Sequence, residues 1–241
     1  MQYAGGPALK NQGDLKSLKR VTTVNALQEA ISKEILEKSF KPGEQLREAE
    51  LAALYNVSRH SVREAFAILV HQGMLKKESH RGVFVPILTK DDVIDLYKCR
   101  EVFELTAIEE LAKGRKVTDE LTRALLSYED LSSKNLWSET VIADSRFHKS
   151  LVDGMGSPRV SSFYDVLLIE FRLCTSQFRL ESSSLNLLKK VHRDLYETIV
   201  TGDWEKAVSH MKAHLEESLR LHLRVAEASQ EEECVGSETF E

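Results

Sequence analysis

A helix, a three-residue turn and a second helix are encoded by residues 48–75, and this succession constrains the fold more than any other feature of the chain. The segment NVSRHSVREAFAILVHQGML, residues 56–75, carries an apolar stripe at helical spacing. The stripe consists of Val62, Phe66, Leu69 and Val70. Asn56 tolerates the left-handed conformation of a tight turn, and Ser58 can cap the helix that follows. With a short helix at 48–55 before the turn, the pattern predicts a helix-turn-helix.

The segments on either side extend this unit to three helices and a β-hairpin. Upstream, apolar residues at helical spacing predict a helix over 24–38, which Pro42 and Gly43 separate from the next one. Downstream, residues 74–86 read as two short strands around a polar turn at 79–82. A hairpin in this position would form a wing beside the helix-turn-helix.

After residue 86 the pattern becomes helical throughout. The segment from Thr89 to Gly114 has a capping threonine, acidic residues in its first turn and a terminal glycine, so it predicts one long helix. Five more helical stretches are expected, at 118–134, 138–153, 159–180, 184–201 and 203–228. We therefore expect a mainly α fold, in which an N-terminal winged helix-turn-helix precedes an antiparallel bundle of about six helices.

These signals divide the chain into four parts. Residues 1–20 are polar and show no period, so we expect disorder there. The winged helix-turn-helix is expected to occupy 21–86, the bundle 87–229, and an acidic tail 230–241.

Charge is distributed unevenly along the chain. The net charge is −5, but residues 1–86 hold 13 Lys and Arg against 9 Asp and Glu, and the remainder holds 20 against 29. A basic first part and an acidic second part suggest that only the first meets phosphate. The three cysteines make no CxxC pair, and there is neither a signal-peptide core nor an apolar run of about 20 residues. We expect a cytoplasmic protein that does not enter the membrane.

The start of the second helix is the expected DNA contact. Arg59 and Arg63 lie one turn apart, so they share a face opposite the apolar stripe and can reach a guanine edge or a phosphate in the major groove. Serine hydroxyls there suit phosphate, and the basic hairpin tip suits the adjacent minor groove. The full set of candidate DNA-binding residues is Arg47, Ser58, Arg59, His60, Ser61, Arg63, His80, Arg81 and Gly82.

Residues 43–85 resemble the winged-helix domain of GntR-family transcription regulators. The resemblance is carried by LA at 51–52, VSR at 57–59, VREA at 62–65 and the Arg81-Gly82 hairpin. It implies that Arg59, His60 and Arg63 read DNA and that His80 and Gly82 belong to the wing. Ala49 stands where many family members have an arginine, and Arg47 is the candidate to replace it.

A second group of residues has the chemistry of a metal site. Asp144 and His148 lie four residues apart on one helical face, and two later segments add His192, His210 and His214. A carboxylate with imidazoles from separate helices suits Zn²⁺ or Ni²⁺. Spacing alone establishes only the first pair. Residues 144–152 and 191–219 also resemble the FCD ligand-binding domain of the FadR branch of the same family, and the resemblance implies the ligands Asp144, His148, His192 and His214. His210 shares a helical face with His214 and is a rival to it, although it lies outside the family pattern.

Arg100 lies in a segment, residues 99–112, that resembles the first helix of such a domain. One interpretation is that Arg100 faces the bundle cavity and pairs with an effector carboxylate. The other is a surface ion pair with Glu104, four residues away.

Three functions remain open on these grounds. The leading one is a metabolite-responsive transcription regulator, a repressor that binds a palindromic operator as a homodimer and is released by a small organic acid. The second is a metal-dependent hydrolase built on the bundle. The third is a ligand-binding module whose helix-turn-helix contacts another protein.

Overall fold

The computed structural model describes residues 12–114, 118–134 and 136–237. In these residues three helices and a small sheet are followed by six further helices. The helices are α1 (Gln12–Leu36), α2 (Glu48–Leu54), α3 (Arg59–His71), α4 (Lys90–Ala112), α5 (Asp119–Ser133), α6 (Trp137–Asp153), α7 (Pro158–Gln177), α8 (Ser182–Thr201) and α9 (Trp204–Ser237), and the strands are β1 (Gln45–Leu46), β2 (Lys76–Glu78) and β3 (Gly82–Phe84). The predicted mainly α architecture is confirmed.

The N-terminal unit is a winged helix. Helices α1, α2 and α3 enclose an apolar core in which Ile31, Val62 and Phe66 are buried. The sheet has the order β1-β3-β2 and is antiparallel, with Gln45 opposite Phe84 and Lys77 opposite Val83. The sequence predicted only the hairpin, because two residues are too few for β1 to show alternation.

The turn between α2 and α3 has the predicted chemistry. Asn56 adopts a φ of 51°, and the Ser58 hydroxyl accepts a hydrogen bond from the backbone N–H of Ser61. The wing also depends on a local constraint, since Gly82 has a φ of 116° and a Cβ there would lie 2.6 Å from Nε2 of Gln45. Glycine adopts this φ without strain, whereas any other residue would be strained and would also displace the Gln45 amide.

Both ends of the described chain are more helical than the sequence predicted. Helix α1 begins at Gln12 instead of Val24, and α9 continues to Ser237 instead of ending near residue 228. Residues 14–23 and 229–235 contain no proline or glycine that would stop a helix. The rest of the segments expected to be disordered or loose, residues 1–11 and 238–241, lies outside the described residues.

Helices α4–α9 form the predicted bundle around a second core. The helix from Thr89 is confirmed with its capping box, in which Thr89 and Asp92 satisfy each other's backbone N–H groups. Gly202 takes the left-handed conformation that ends α8. No helix in the described ranges has the length and apolar character needed to cross a bilayer.

The last turn of α7 joins the two units. The Ser176 hydroxyl lies 2.9 Å from the carbonyl of Ile35 and 3.2 Å from that of Leu36, at the end of α1. The Gln177 amide donates to the carbonyl of Leu88 and accepts from its N–H, both at 2.9 Å. The bundle therefore holds both α1 and the linker that leads into α4.

We expect the Thr89→Ala substitution to lower the free energy of unfolding by about 1 kcal/mol, because it removes a cap that accepts the Asp92 N–H. Thr118→Ala is the matched control, since Thr118 occupies the same position before α5 but makes no side-chain cap. Equilibrium urea unfolding measures both. Equal losses would contradict the role of the Thr89 hydroxyl.

Candidate functional site

Two arginines at the exposed start of α3 differ in their contacts. Arg59 is exposed and makes no hydrogen bond or ion pair within the described residues. Arg63 is 65% exposed, and its guanidinium donates to both carboxylate oxygens of Glu48 on α2, at 3.0 and 2.6 Å. Hydrogen bonding to Arg63 lowers the pKa of Glu48. Arg59 is therefore free to bind a ligand, whereas Arg63 is held in place by Glu48 and must exchange this partner or share it.

Lys77 belongs to the same surface and was not among the residues predicted to bind DNA. It is exposed on β2, and together with Arg59 it contributes to the lowered pKa of Glu48. Three cations thus surround one carboxylate where α3 meets the wing. The Lys76-Lys77 pair in the hairpin was the sequence signal that could have identified it.

The two serine hydroxyls of the turn contact each other. The Ser58 and Ser61 hydroxyls lie 2.9 Å apart, and Ser61 is buried. This placement argues against Ser61 as a phosphate contact, because its hydroxyl faces the helix start instead of solvent. His60 remains exposed and lies 3.4 Å from Glu64.

The candidate residues of the wing lie at its exposed tip. His80 is exposed with a φ of 60°, and Arg81 donates to Glu78 at 2.5 Å with its guanidinium over the ring of Phe84. Arg47 is exposed and donates to Glu50 at 3.1 Å, so it lies outside the hairpin at the start of α2.

The second site is a cluster of three buried histidines in the bundle. His148 from α6, His192 from α8 and His214 from α9 converge through their Nε2 atoms. Nε2 of His148 lies 3.2 Å from that of His192 and 3.2 Å from that of His214. Oδ1 of Asp144 lies 2.9 Å from Nε2 of His192 and 3.9 Å from Nε2 of His148. All four residues implied by the family resemblance are therefore brought together.

These distances fit a divalent metal. Tetrahedral ligands about 2.0–2.1 Å from Zn²⁺ lie roughly 3.3 Å from one another, close to the observed separations. His192 Nδ1 lies 2.7 Å from the carbonyl of Leu188, and His148 Nδ1 lies 2.7 Å from Oε2 of Glu104. Both acceptors favour a proton on Nδ1, which leaves Nε2 with the lone pair that a metal binds.

The protonation states of the cluster residues also suit a divalent metal. Burial lowers the pKa of His148 and lowers that of His214 well below its usual value, so these imidazoles are neutral at pH 7. Burial alone would raise the pKa of Asp144, but its contact with His192 and the nearby Arg100 lower it. Neutral imidazoles and an ionised carboxylate are the forms that coordinate a metal.

His210 does not belong to this cluster. It faces a different cavity, shared with Lys190, Asp194 and Lys206. The rival position raised by the sequence is therefore set aside, because one helical turn separates His210 from the converging Nε2 atoms.

Arg100 and Glu104 form the predicted ion pair, but the pair is buried instead of on the surface. Arg100 is 1% exposed, and its Nε donates to Oε1 of Glu104 at 2.7 Å. Its guanidinium stacks on the ring of Phe171 at 4.1 Å. Nη1 and Nη2 are buried and have no hydrogen-bond partner among the described residues. Burying a guanidinium whose N–H groups have no acceptor costs free energy, and a bound acceptor would remove that cost.

Arg100 also lines a small cavity next to the histidine cluster. The cavity has a volume of about 30 Å³ and is lined by Arg100, Asp144, His214 and His222, among apolar neighbours. His222, which the sequence analysis missed, is buried with Nδ1 2.9 Å from the Tyr97 hydroxyl and with Nε2 unpartnered in the described structure. Its position eight residues after His214, on the same face of α9, was the available signal.

The chain matches two family models. One, for bacterial regulatory proteins of the gntR family, covers residues 23–85, and the other, for the FCD domain, covers residues 95–217. YdhC, an uncharacterized HTH-type transcriptional regulator of Bacillus subtilis, is 27% identical over 188 residues, which are 76% of this chain and 84% of that protein. A probable D-xylose utilization operon transcriptional repressor of Paenarthrobacter nicotinovorans is 24% identical over 205 residues, 83% of this chain and 88% of that one. The crystal structure of a GntR transcriptional regulator from Rhodococcus sp. RHA1 superposes with a TM-score of 0.73 at 27% identity, covering 85% of this chain and 97% of the other.

The buried His222 predicts a pH dependence of stability. Burial lowers its pKa to about 4, whereas an unfolded histidine titrates near 6.5. Between these values the unfolded chain binds more protons, so the free energy of unfolding decreases as the pH falls from 6.5 to 4. His222→Phe should reduce the loss of stability between pH 7 and pH 4 by up to about 3 kcal/mol.

Urea unfolding of the metal-free protein at both pH values measures this difference, and the cost of losing the Tyr97 contact cancels in it. The exposed His71→Phe variant is the control and should retain the wild-type loss. A loss that His222→Phe leaves unchanged would show that His222 does not resist protonation.

Proposed function

Because the chain belongs to the GntR family of bacterial regulatory proteins and contains an FCD domain, we propose that it is a repressor that binds a palindromic operator as a homodimer and is released by a small organic acid. Family membership makes it a DNA-binding transcription regulator and not an enzyme. The repressor assignment follows the relative named as a repressor. One recognition helix reads only a half-site, so a specific operator calls for two copies.

The free guanidinium of Arg59 is the observation that supports DNA contact most directly. It lies at the N-terminus of α3, and in the described structure it makes no hydrogen bond or ion pair. Its charge acts on Glu48, as do the charges of Arg63 and Lys77. A cationic surface at this end of a recognition helix suits the major groove and its flanking phosphates. Glu48 holds the Arg63 guanidinium in one orientation, which lowers the entropy lost when it binds.

Apart from the candidate metal ligands, the described residues offer no feature that favours the hydrolase alternative. The buried carboxylate nearest the cluster, Glu104, accepts from Arg100 and Tyr164 through one oxygen and faces His148 with the other. Its pKa of about 2 is far too low for a general base at neutral pH. The relatives are regulators, in agreement with this chemistry.

We assign the histidine cluster to a divalent metal, zinc or nickel, held by Asp144, His148, His192 and His214. When bound, the metal would supply a positive charge and a coordination position for an oxygen of the effector. The converging Nε2 atoms and the lowered pKa values of His148 and His214 support this assignment.

We assign the effector as a small carboxylate because two guanidinium nitrogens of Arg100 have no hydrogen-bond partner among the described residues. Nη1 and Nη2 match a carboxylate in a fork, and His222, whose Nε2 has no partner among the described residues, lines the same cavity. A volume of about 30 Å³ holds only two or three water-sized groups, so a bound acid must displace side chains as it enters. This displacement is how effector binding would change the bundle.

The Arg59→Ala and Arg63→Ala variants should each bind the operator more weakly. If the arginine reads a base, the loss of binding free energy should be about 1–3 kcal/mol. If it binds a phosphate, the slope of log K against log salt concentration should become shallower by about one. Fluorescence anisotropy with the upstream intergenic DNA measures both quantities. Arg123→Ala, on the exposed face of α5, is the control. Unchanged affinity in both variants would exclude α3 as the recognition helix.

Protein purified without added metal should contain one divalent ion per chain by elemental analysis. Occupancy should fall as the pH drops, because protons compete for the imidazoles. The His148→Ala/His214→Ala double variant should lose the ion, and His210→Ala should retain it because His210 faces another cavity. Full occupancy in the double variant would place the ligands elsewhere.

Arg100→Lys should weaken the effector's ability to release the operator by roughly ten- to a hundredfold, since a lost charged hydrogen bond is worth about 1.5–3 kcal/mol. Lysine keeps a charge beside Glu104, so the variant should fold and bind DNA as the wild type does. Operator affinity is titrated against a panel of organic acids. An acid that releases DNA equally well from both proteins would exclude Arg100 as its anchor.

A further inference from the structure

Two further residues that line the effector cavity carry polar atoms without partners. Nε1 of Trp137 on α6 and Nε2 of His222 on α9 are buried and make no hydrogen bond within the described residues. Both side chains line the same cavity as Arg100. Trp137 is 4% exposed and His222 is 2% exposed, so bulk water does not satisfy these atoms. Because a buried polar atom without a partner costs free energy, two of them beside one cavity indicate a ligand that completes them.

Two threonines of the same lining have their donors satisfied. Thr140 Oγ1 donates to the carbonyl of Leu136 at 2.6 Å, and Thr175 Oγ1 donates to the carbonyl of Phe171 at 2.8 Å. These hydroxyls are bound within their own helices. The unmet hydrogen-bonding capacity of the lining therefore lies at Arg100, Trp137 and His222, beside Nδ1 of His214 in the proposed metal cluster.

The unpartnered atoms of Trp137 and His222 have opposite hydrogen-bonding roles. An indole nitrogen only donates. Nδ1 of His222 lies 2.9 Å from the carbonyl oxygen of Ser218, which only accepts, so the proton of the neutral ring belongs on Nδ1. The Tyr97 hydroxyl, also 2.9 Å from Nδ1, can share this proton because a phenol accepts as well as donates. Nε2 of His222 is therefore an acceptor.

A hydroxyl group matches both atoms. Its O–H can donate to Nε2 of His222, and its lone pairs can accept from Nε1 of Trp137. Nη1 and Nη2 of Arg100 supply two donors for a carboxylate. Since the cavity of about 30 Å³ holds only two or three water-sized groups, a carboxylate and a hydroxyl together account for most of its capacity.

We propose that Trp137 and His222 form a hydroxyl-binding subsite and that the effector is a hydroxycarboxylic acid. The inference rests on the proposed small-acid effector and adds the two residues that select among acids. Trp137 donates to the hydroxyl oxygen, His222 accepts the hydroxyl proton, and Arg100 binds the carboxylate. An acid that lacks only the hydroxyl leaves both buried atoms unpartnered and binds more weakly for that reason.

Trp137 also lies against the winged-helix unit. It belongs to an apolar cluster that includes Leu36, the last residue of α1. Next to it, the carboxylate of Glu37 accepts from the backbone N–H of Ser138 at 3.2 Å. A hydroxyl bound to Trp137 therefore acts on a side chain that supports the end of α1, which links recognition of the acid to the DNA-binding unit.

Pairs of acids that differ by one hydroxyl test the subsite. Suitable pairs are glycolate and acetate, 3-hydroxybutyrate and butyrate, and malate and succinate. Isothermal titration calorimetry of the full chain as purified gives the ratio of the two dissociation constants in each pair. In at least one pair the wild type should prefer the hydroxy acid by at least about tenfold, because its partner leaves buried atoms unsatisfied.

Matched aromatic substitutions test the two residues. Trp137→Phe keeps an aromatic ring and removes the N–H, and it should lower this preference by at least about threefold, as should His222→Phe. Trp204→Phe is the control, because Trp204 is not part of the cavity lining and the preference should stay at the wild-type value. A substitution that only loosens the cavity weakens both acids and leaves their ratio unchanged. Unchanged ratios in both variants would overturn the subsite, and a change in only one would exclude the other residue.

Tryptophan fluorescence gives an independent readout of the same contact. The chain has two tryptophans, so Trp204→Phe leaves Trp137 as the sole emitter. A saturating hydroxy acid should shift the emission to longer wavelength, because a hydrogen bond to the indole N–H stabilises the excited state, and its partner acid should shift it less. Equal shifts would show that the hydroxyl does not contact Trp137. At saturation the hydroxy acid should also lower operator affinity more than its partner does, and equal lowering would overturn the link to α1.

The proposed effector and the proposed subsite fail in different ways. A wild-type chain that binds none of these acids would reject the small-acid effector and the subsite with it. A wild-type chain that binds the acids but prefers neither member of any pair would reject only the subsite. In that case Arg100→Lys should still weaken both members of a pair, because the carboxylate that Arg100 binds is common to them.

Discussion

A single buried carboxylate connects the functional parts of the bundle. Glu104 on α4 is fully buried, and its Oε1 accepts from Nε of Arg100 and from the Tyr164 hydroxyl on α7, each at 2.7 Å. Its Oε2 lies 2.7 Å from Nδ1 of His148 on α6. Burial alone would raise the pKa of Glu104, but Arg100 and His148 lower it to about 2, so the charge persists. Three helices are thereby fixed around one anion, which orients His148, a proposed metal ligand, and Arg100, the proposed effector anchor, together.

The sequence predicted local features well because they depend on local chemistry. The turn at Asn56 and Ser58 and the capping box at Thr89 have signals within a few residues, and the structure has them where they were expected. The Arg100–Glu104 spacing, in contrast, is the same for a surface pair and a buried one. Burial is decided by α6 and α7, which are distant in the sequence, so the role of Glu104 was not predictable from its own helix.

The contacts of the site residues with distant parts of the chain were likewise not predictable from the sequence. Spacing established that Asp144 and His148 share a face, and only the family resemblance joined them to His192 and His214 on other helices. The hydroxyl of Ser61 suggests a phosphate contact, but whether it faces solvent depends on Ser58 in the preceding turn, whose hydroxyl lies 2.9 Å away. His222 was not predicted because its side-chain partner, the hydroxyl of Tyr97, is 125 residues away, while its contact with the Ser218 carbonyl lies within its own helix.

Helix α7 is the element through which these features can influence one another. Tyr164 contacts Glu104, Phe171 stacks on Arg100, and one turn later Ser176 and Gln177 bind the end of α1 and the linker at Leu88. An acid that displaces Phe171 to reach Arg100 must therefore alter contacts that hold the winged helix. In the proposed homodimer, the same movement would change the separation of the two α3 helices, which a palindromic operator fixes at about one DNA turn. The acid then favours a geometry that DNA disfavours, and linkage requires DNA to weaken binding of the acid by the same factor.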